Sequence, residues 1–195
     1  MIKINGKPVD INKFPDGTLL IKEKPSDDKA LVFWRFESNE ELVALIYITH
    51  HIRAHGAKTI HLFMPYIPNA RQDRVKKDED VLTLKYFAWV INSLCFDKVI
   101  VLDPHSSVSE ALIDRIEVMS PAELIREVYN RVRIGYGNGK EMLMFYPDEG
   151  AMKRYSGMIS SPYAFGIKER VWSTGEIKGL SVFDGGQSIE GKNVL

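Results

Sequence analysis

Apolar positions along the chain recur with two periods that alternate from the first residues to the last. Residues 1–36 carry short apolar runs, IKING, TLLIKEK and ALVFWRF, broken by the turn-like Phe14-Pro15-Asp16-Gly17-Thr18, and read as β-structure. Ser38-Asn39-Glu40-Glu41 then fits a capping box. Leu42, Leu45, Ile46, Thr49 and Ile52 follow at helical spacing, and Gly56 fits a C′ stop. TIHLFMPYI is nearly continuous in apolar residues, the pattern of a buried parallel strand. After the polar stretch Asn69 to Asp80, a second helix is predicted from about Thr83, with Leu84, Phe87, Ala88, Ile91 and Leu94 on one face. KVIVL (98–102), a short helix around 109–113, and IEVMS repeat the alternation. Ser120-Pro121-Ala122-Glu123 opens a helix to about Val132, as an N-cap, Pro at N1 and Glu at N3.

Three glycines and an asparagine crowd RIGYGNGK (133–140), which marks the expected domain boundary. A second series follows: strand EMLMFYP, turn Asp148-Glu149-Gly150, a helix through about Ile159, strand YAFGI, a polar loop, LSVF and a final NVL. The expected architecture is α/β, with parallel sheets flanked by helices. The expected domains are 1–135 and 136–195.

Composition narrows the function classes. The 195 residues are 45% hydrophobic and 27% charged, which excludes a disordered, collagen-like or coiled-coil chain. Lys+Arg and Asp+Glu both number 26, so there is no basic excess to suggest nucleic acid or a membrane surface as partner. No apolar run approaches the roughly 20 residues that span a bilayer. The start MIKINGKPVD lacks a signal-peptide h-region. The single cysteine, Cys95, sits in an apolar run and reads as a small buried hydrophobe. A cytoplasmic setting is expected.

Three polar clusters fall after predicted strands, where open α/β sheets bind ligands. The first places Arg71, Arg74, Lys76 and Lys77 within seven residues. Guanidinium forks suit phosphate oxygens or stack on a purine, whereas a solvated loop would pair these cations with Asp73, Asp78, Glu79 and Asp80. The second is Asp103-Pro104-His105: a carboxylate and an imidazole two apart suit a divalent metal or acid–base work, or a helix start. The third is Asp148, readable as an N-cap or as a hard oxygen ligand for Mg²⁺.

Other motifs fail. Gly186 to Lys192 matches G-x-x-x-x-G-K, but Asn193 stands where Ser/Thr would bind Mg²⁺ and a strand follows instead of a helix. Gly135-Tyr136-Gly137-Asn138-Gly139 also precedes a strand, so it is no dinucleotide fingerprint. His50, His51, His55 and His61 show no zinc spacing with Cys95.

Taken together, the motifs resemble those of the ribose-phosphate diphosphokinases, or phosphoribosyl pyrophosphate synthetases. Pro65-Tyr66-Ile67-Pro68-Asn69-Ala70-Arg71-Gln72-Asp73-Arg74 resembles that family's P-Y-x-x-x-A-R-Q-D-R. Phe14 to Thr18 resembles F-x-D-G-E, Asp103-Pro104-His105 resembles D-L-H, and Asp148 to Arg154 resembles P-D-x-G-x-x-K-R. Lys168-Glu169-Arg170 resembles the K-R-R of a flexible loop. The five elements stand in the family's order along essentially the whole chain.

The resemblance implies two type I phosphoribosyltransferase-like domains, the second incomplete. It also implies transfer of the β,γ-diphosphoryl group of Mg-ATP to the 1-hydroxyl of ribose 5-phosphate, releasing AMP. Arg71, Gln72, Arg74 and Lys76 would then hold ATP. Phe14 and Asp16 would contact adenine, typically from a neighbouring subunit, so a homo-oligomer (dimer or hexamer) follows. Asp103, His105, Asp114 and Asp148 would serve Mg²⁺, and Lys168 and Arg170 would close catalytically over the phosphates.

The departures are Thr18 for Glu, Pro104 for Leu, Glu149 and Ala151 for small residues, and Glu169 for a cation. The family's D-D-x-x-x-T-G-G-T loop, which holds the 5-phosphate, is not within the 195 residues. The sequence is therefore expected to bind ATP far better than it turns over ribose 5-phosphate. Two other readings stay open: diphosphate transfer to another ribosyl acceptor such as ADP-ribose, and a non-catalytic regulatory homologue.

Overall fold

The structure, a computed structural model, describes residues 1–24, 28–136, 142–170, 177–186 and 188–195, without the side chains of 136, 168–170 and 177–178. The chain divides into two units, Met1–Ser120 and Pro121–Leu195.

Unit 1 opens with β1 (Ile2–Ile4) and β2 (Lys7–Pro8), then β3 (Asp10–Lys13), β4 (Leu19–Lys22) and β5 (Lys29–Trp34). Three crossovers follow: α1 (Glu40–Ala54) to β6 (Thr59–Met64), α2 (Thr83–Ser93) to β7 (Lys98–Leu102), and α3 (Val108–Leu112) to β8 (Ile116–Met119). The main sheet has the order β2-β1-β5-β6-β7-β8, and β3 and β4 pair as a separate hairpin. From β5 to β8 the strands are parallel, while β1 joins β5 antiparallel.

Because the order steps one way from β5 to β8, right-handed crossovers place the helices on one sheet face. Burial alternates accordingly along β6, where Ile60, Leu62 and Met64 are buried and Thr59, His61 and Phe63 only partly so. The expected two-sided burial of this strand is thus replaced by one fully covered face. Leu45, Ile48 and Ile52 of α1 share one core with Val32, Leu62 and Val101. Each such side chain contributes about 1.5–3 kcal/mol by leaving water.

The start of α1 differs from the expected capping box. Glu41 accepts hydrogen bonds from the Glu37 backbone N–H (2.8 Å) and the indole N–H of fully buried Trp34 (3.0 Å), and also pairs with the Met1 amine. A buried indole needs an acceptor, and that need draws the carboxylate away from Ser38. At the other end Gly56 has φ 105° and Ala57 N–H donates to Ile52 O, the expected left-handed stop. Cys95 is exposed, contrary to its apolar context, with φ 51° in the turn that ends α2.

Unit 2 holds α4 (Ala122–Tyr136), β9 (Met142–Tyr146), α5 (Glu149–Tyr155), a 3₁₀ turn (Ser156–Met158), β10 (Tyr163–Arg170), β11 (Ile177–Phe183) and β12 (Asn193–Val194). The sheet order is β11-β10-β9-β12; β10 and β12 lie parallel to β9, and β11 returns antiparallel. The division at 120/121 precedes the boundary expected after residue 135. The reason is packing: Ile125 and Tyr129 of α4 join the core of Met144, Tyr146, Ile159 and Phe165, and the Tyr129 hydroxyl donates to Ser161 Oγ at 3.2 Å. The glycines at 137 and 139 lie outside the described residues.

Candidate functional site

Polar side chains gather where β6 and β7 end, at the carboxyl edge of the parallel sheet. The connection from β6 to α2 is anchored by buried Ile67 and Ala70 and turns at Asn69, whose φ is 64°. Gln72 N–H closes that turn on Asn69 O at 3.0 Å. The Gln72 carboxamide oxygen accepts from Thr83 Oγ1 (2.9 Å), at the first residue of α2. Asp80 accepts from the backbone N–H groups of Lys76 (2.8 Å) and Lys77 (3.0 Å), which hold its carboxyl below the usual carboxylate range.

Asp73 is the most enclosed charge here, with its side chain 11% exposed. It accepts from Arg74 Nε at 2.9 Å. Chiefly through Arg74, with the nearby Ser106 hydroxyl a further cause, its pKa falls to about 2, and the Arg74 guanidinium is pushed up in return.

The result is a sorting of donors from acceptors. The loop's side-chain acceptors, on Gln72, Asp73 and Asp80, are engaged from within. The cationic side chains that remain are donor-only groups. Arg71, the Gln72 amide, Arg74 and Lys76 line a cavity of about 390 Å³ together with Asp73, Asp80 and His105. Arg71 forms no ion pair with any described residue, whereas Arg74 pairs with Asp73 and Lys77 lies 3.9 Å from Glu79. Part of the cluster is therefore a locally paired loop, and part of it faces the cavity as uncompensated positive charge. A roomier cavity of about 550 Å³ lies between β4 and α1, lined by Leu19, Ile21, Tyr47 and His51. It sits away from the carboxyl ends of β6 and β7, and its lining mixes apolar side chains with Lys22, Glu23 and His51, so the smaller, cation-lined cavity is the better match to an anion.

Asp103 follows β7 with φ 45°, a left-handed conformation that costs a non-glycine residue about 1 kcal/mol or more and is found at functional sites. His105, two residues on, lines the cavity. Asp114 does not join them. It follows α3 and precedes β8, so the helix has carried the chain back to the start of the parallel strands. There it caps nothing at the site; its backbone N–H donates to Asn92 Oδ1 (2.9 Å). The eleven-residue spacing from Asp103 spans a full return across the sheet, so the structure does not bring Asp114 together with Asp103 and His105.

Phe14 and Asp16 lie on the β3–β4 turn and do not line this cavity. Phe14 is 48% exposed. Asp16 accepts from Thr18 N–H (2.9 Å) and Thr18 Oγ1 (2.7 Å), which lower its pKa. Asp148, in unit 2, caps α5 by accepting from Ala151 N–H at 2.9 Å. Lys168 and Arg170 occupy β10, where the sequence suggested a loop; they pair with Leu180 and Ile177 of β11, and their side chains are outside the described set. Among the described residues no group of three or more His, Cys, Asp or Glu is placed to hold a metal ion unaided. Ser106, Thr83 and Asp80 were not singled out from the sequence. Their signals are weak ones: a hydroxyl two residues from a helix start, and an acid four residues after a lysine.

Fold and site define a class: an α/β protein with a polar, cation-lined cavity at the carboxyl ends of two parallel strands. The comparisons with known proteins point to a family. The family model for the N-terminal domain of ribose phosphate pyrophosphokinase matches residues 1–94. Ribose-phosphate pyrophosphokinase 2 of Archaeoglobus fulgidus is 30% identical over 142 residues, covering 73% of this chain and 46% of its own length. Ribose-phosphate pyrophosphokinase of Thermococcus kodakarensis is 27% identical over 194 residues, covering 96% of this chain and 65% of its own length. The crystal structure of phosphoribosylpyrophosphate synthetase from Mycobacterium smegmatis superposes with TM-score 0.74 at 18% identity, over 96% of this chain and 61% of that one, and shows the same fold. Residues 1–94 thus match the N-terminal domain of ribose phosphate pyrophosphokinase, and the chain is similar to ribose-phosphate pyrophosphokinases over most of its length. It spans between about half and two-thirds of the length of these relatives. No helix among the described residues is long and apolar enough to cross a membrane.

Proposed function

We propose that this chain carries the nucleotide-binding part of a ribose-phosphate pyrophosphokinase, taking Mg-ATP and ribose 5-phosphate to phosphoribosyl pyrophosphate and AMP. The observation that carries the reading is the donor-lined cavity of Arg71, Gln72, Arg74 and Lys76 at the ends of β6 and β7. A polyphosphate presents only acceptor oxygens, which Arg71, Lys76 and the Gln72 amide can meet, while Arg74 is shared with Asp73. In the reaction the 1-hydroxyl oxygen bonds to the β-phosphorus, the bond to the α,β-bridging oxygen breaks, AMP departs, and the hydroxyl proton passes to solvent or a base.

Such transfer needs alignment and neutralisation of charge more than covalent help. Arg71 and Lys76 supply charge, while Gln72, held by Thr83, supplies an oriented amide. Asp103 and His105 would serve a Mg²⁺, and Asp148 a second metal or the ribose. The donor set fits that ion in its usual state, bound by one or two protein groups and otherwise by phosphates and water. When bound, Mg²⁺ would neutralise phosphate charge. Lys168 and Arg170 are proposed to close on the transferring group, and Phe14 and Asp16 to meet adenine in a neighbouring copy of a cytoplasmic homo-oligomer. No nucleic acid or membrane partner is proposed.

The test is AMP release from Mg-ATP with ribose 5-phosphate, run beside ATP binding. Binding with AMP release supports the full reading. Binding without turnover supports the nucleotide site alone, and no binding refutes both.

A further inference from the structure

We propose that Thr83 is a positioning residue for the anion site: its hydroxyl decides which end of the Gln72 carboxamide faces the cavity. The inference rests on the anion-site reading above and deepens it.

α2 begins without a side-chain cap, because the residue before it is Leu82. The first turn of a helix carries backbone N–H groups with no partner inside the helix. One of them, Leu84 N–H, donates to Gln72 O at 3.4 Å. Thr83 Oγ1 donates to the Gln72 side-chain oxygen at 2.9 Å. Gln72 is therefore held to the start of α2 twice, once by its backbone and once by its side chain. Residues 73–82 are closed between those two points into a loop that carries Arg74 and Lys76.

A carboxamide has an acceptor end and a donor end, and a half turn exchanges them. The Thr83 hydroxyl has a single proton, which is given to the Gln72 oxygen. With that oxygen engaged, the amide nitrogen is the end left for the cavity that Gln72 lines. A reversed carboxamide would turn an acceptor oxygen toward a phosphate that itself presents only acceptors. Arg71, Arg74 and Lys76 are donors in every rotamer, whereas Gln72 can present either end and Thr83 selects one. Thr83 does not line the cavity, so its influence passes through Gln72.

A hydroxyl that merely steadied the start of α2 would matter equally with or without the carboxamide. A hydroxyl that orients Gln72 affects binding only while the carboxamide is present, so a double-mutant cycle separates the two.

The experiment is calorimetric titration with inorganic tripolyphosphate at fixed ionic strength, with circular dichroism confirming the fold of each variant. Thr83→Val, which keeps the β-branched shape and drops the hydroxyl, is expected to weaken binding about two- to tenfold. Thr83→Ser, which keeps the hydroxyl, is expected to bind like wild type. In a Gln72→Ala background, Thr83→Val is expected to add no further loss. Unchanged affinity in Thr83→Val, an equal loss in both backgrounds, or failure of serine to retain binding overturns the proposal. If Thr83→Val does not fold, Thr83→Ala takes its place in the same cycle and must likewise lose its effect when the carboxamide is absent. Wild-type protein that does not bind tripolyphosphate overturns the anion-site reading itself, and the positioning role falls with it.

Discussion

Unit 1 leaves β6 through residues 65–82 before α2 begins, whereas unit 2 leaves β9 through Pro147 and Asp148 alone before α5. The long exit has room to fold on itself. Asp73 and Asp80 satisfy loop donors, and the remaining cations line a cavity. The short exit has no such room, and Asp148 is extended (φ −161°, ψ 172°) with its carboxylate on the first turn of α5. Asp103, which ends β7, has a left-handed backbone instead. Two aspartates at parallel strand ends thus do different things. The difference teaches that backbone conformation at the strand end, more than residue type, decides whether an acid there caps the next helix.

Breaking the long exit should have the largest effect. Arg71→Ala removes the cation without a local partner, so affinity for tripolyphosphate should fall about ten- to hundredfold by calorimetry. The fold should be unchanged by circular dichroism, since Arg71 is exposed.

The short exit should break through packing. A Cβ at Gly166 would sit 2.8 Å from the Pro147 carbonyl oxygen, a backbone atom that cannot easily yield. Gly166→Ala should destabilise the protein by about 1–3 kcal/mol in urea unfolding. Smaller still, Asp148→Ala should cost about 1 kcal/mol through the lost cap, while Asp148→Asn should retain most of that stability. Asn at 148 therefore separates cap from charge: lost Mg²⁺-dependent nucleotide binding in a stable Asp148→Asn protein would assign the carboxylate a second role.

Acid should loosen the long exit gently. The folded pKa of Asp73, about 2, lies below its ordinary value of 3.8. Its bonds therefore stabilise the fold fully above about pH 4, and that contribution fades as pH falls through 2. Asp73→Asn should flatten this part of the urea midpoint against pH curve. Least of all, Asp114→Asn should leave anion affinity unchanged, because Asp114 lies at the other end of the sheet from the cavity.

Period and turn chemistry made most of the fold legible. The helical spacing of Leu45, Thr49 and Ile52 and the Gly56 stop appear where the sequence put them. The first cation cluster was legible because Arg71, Gln72, Arg74 and Lys76 are neighbours in the chain. What was not legible depends on distance in space. Asp114 looks close to Asp103 in sequence, yet a helix separates them across the sheet. His105 shares a cavity with Arg71 and Asp73 only because β6 and β7 are adjacent strands, a pairing that no local pattern encodes. Glu41 was read as a capping partner, but buried Trp34 competes for it from another element.

The most direct measurement is a backbone amide chemical-shift map of this chain titrated with Mg-ATP. The account predicts saturable shifts concentrated at Asn69–Thr83 and Asp103–Val108. Saturable shifts centred instead on Leu19, Tyr47 and His51, or none at Arg71 to Lys76, would contradict it.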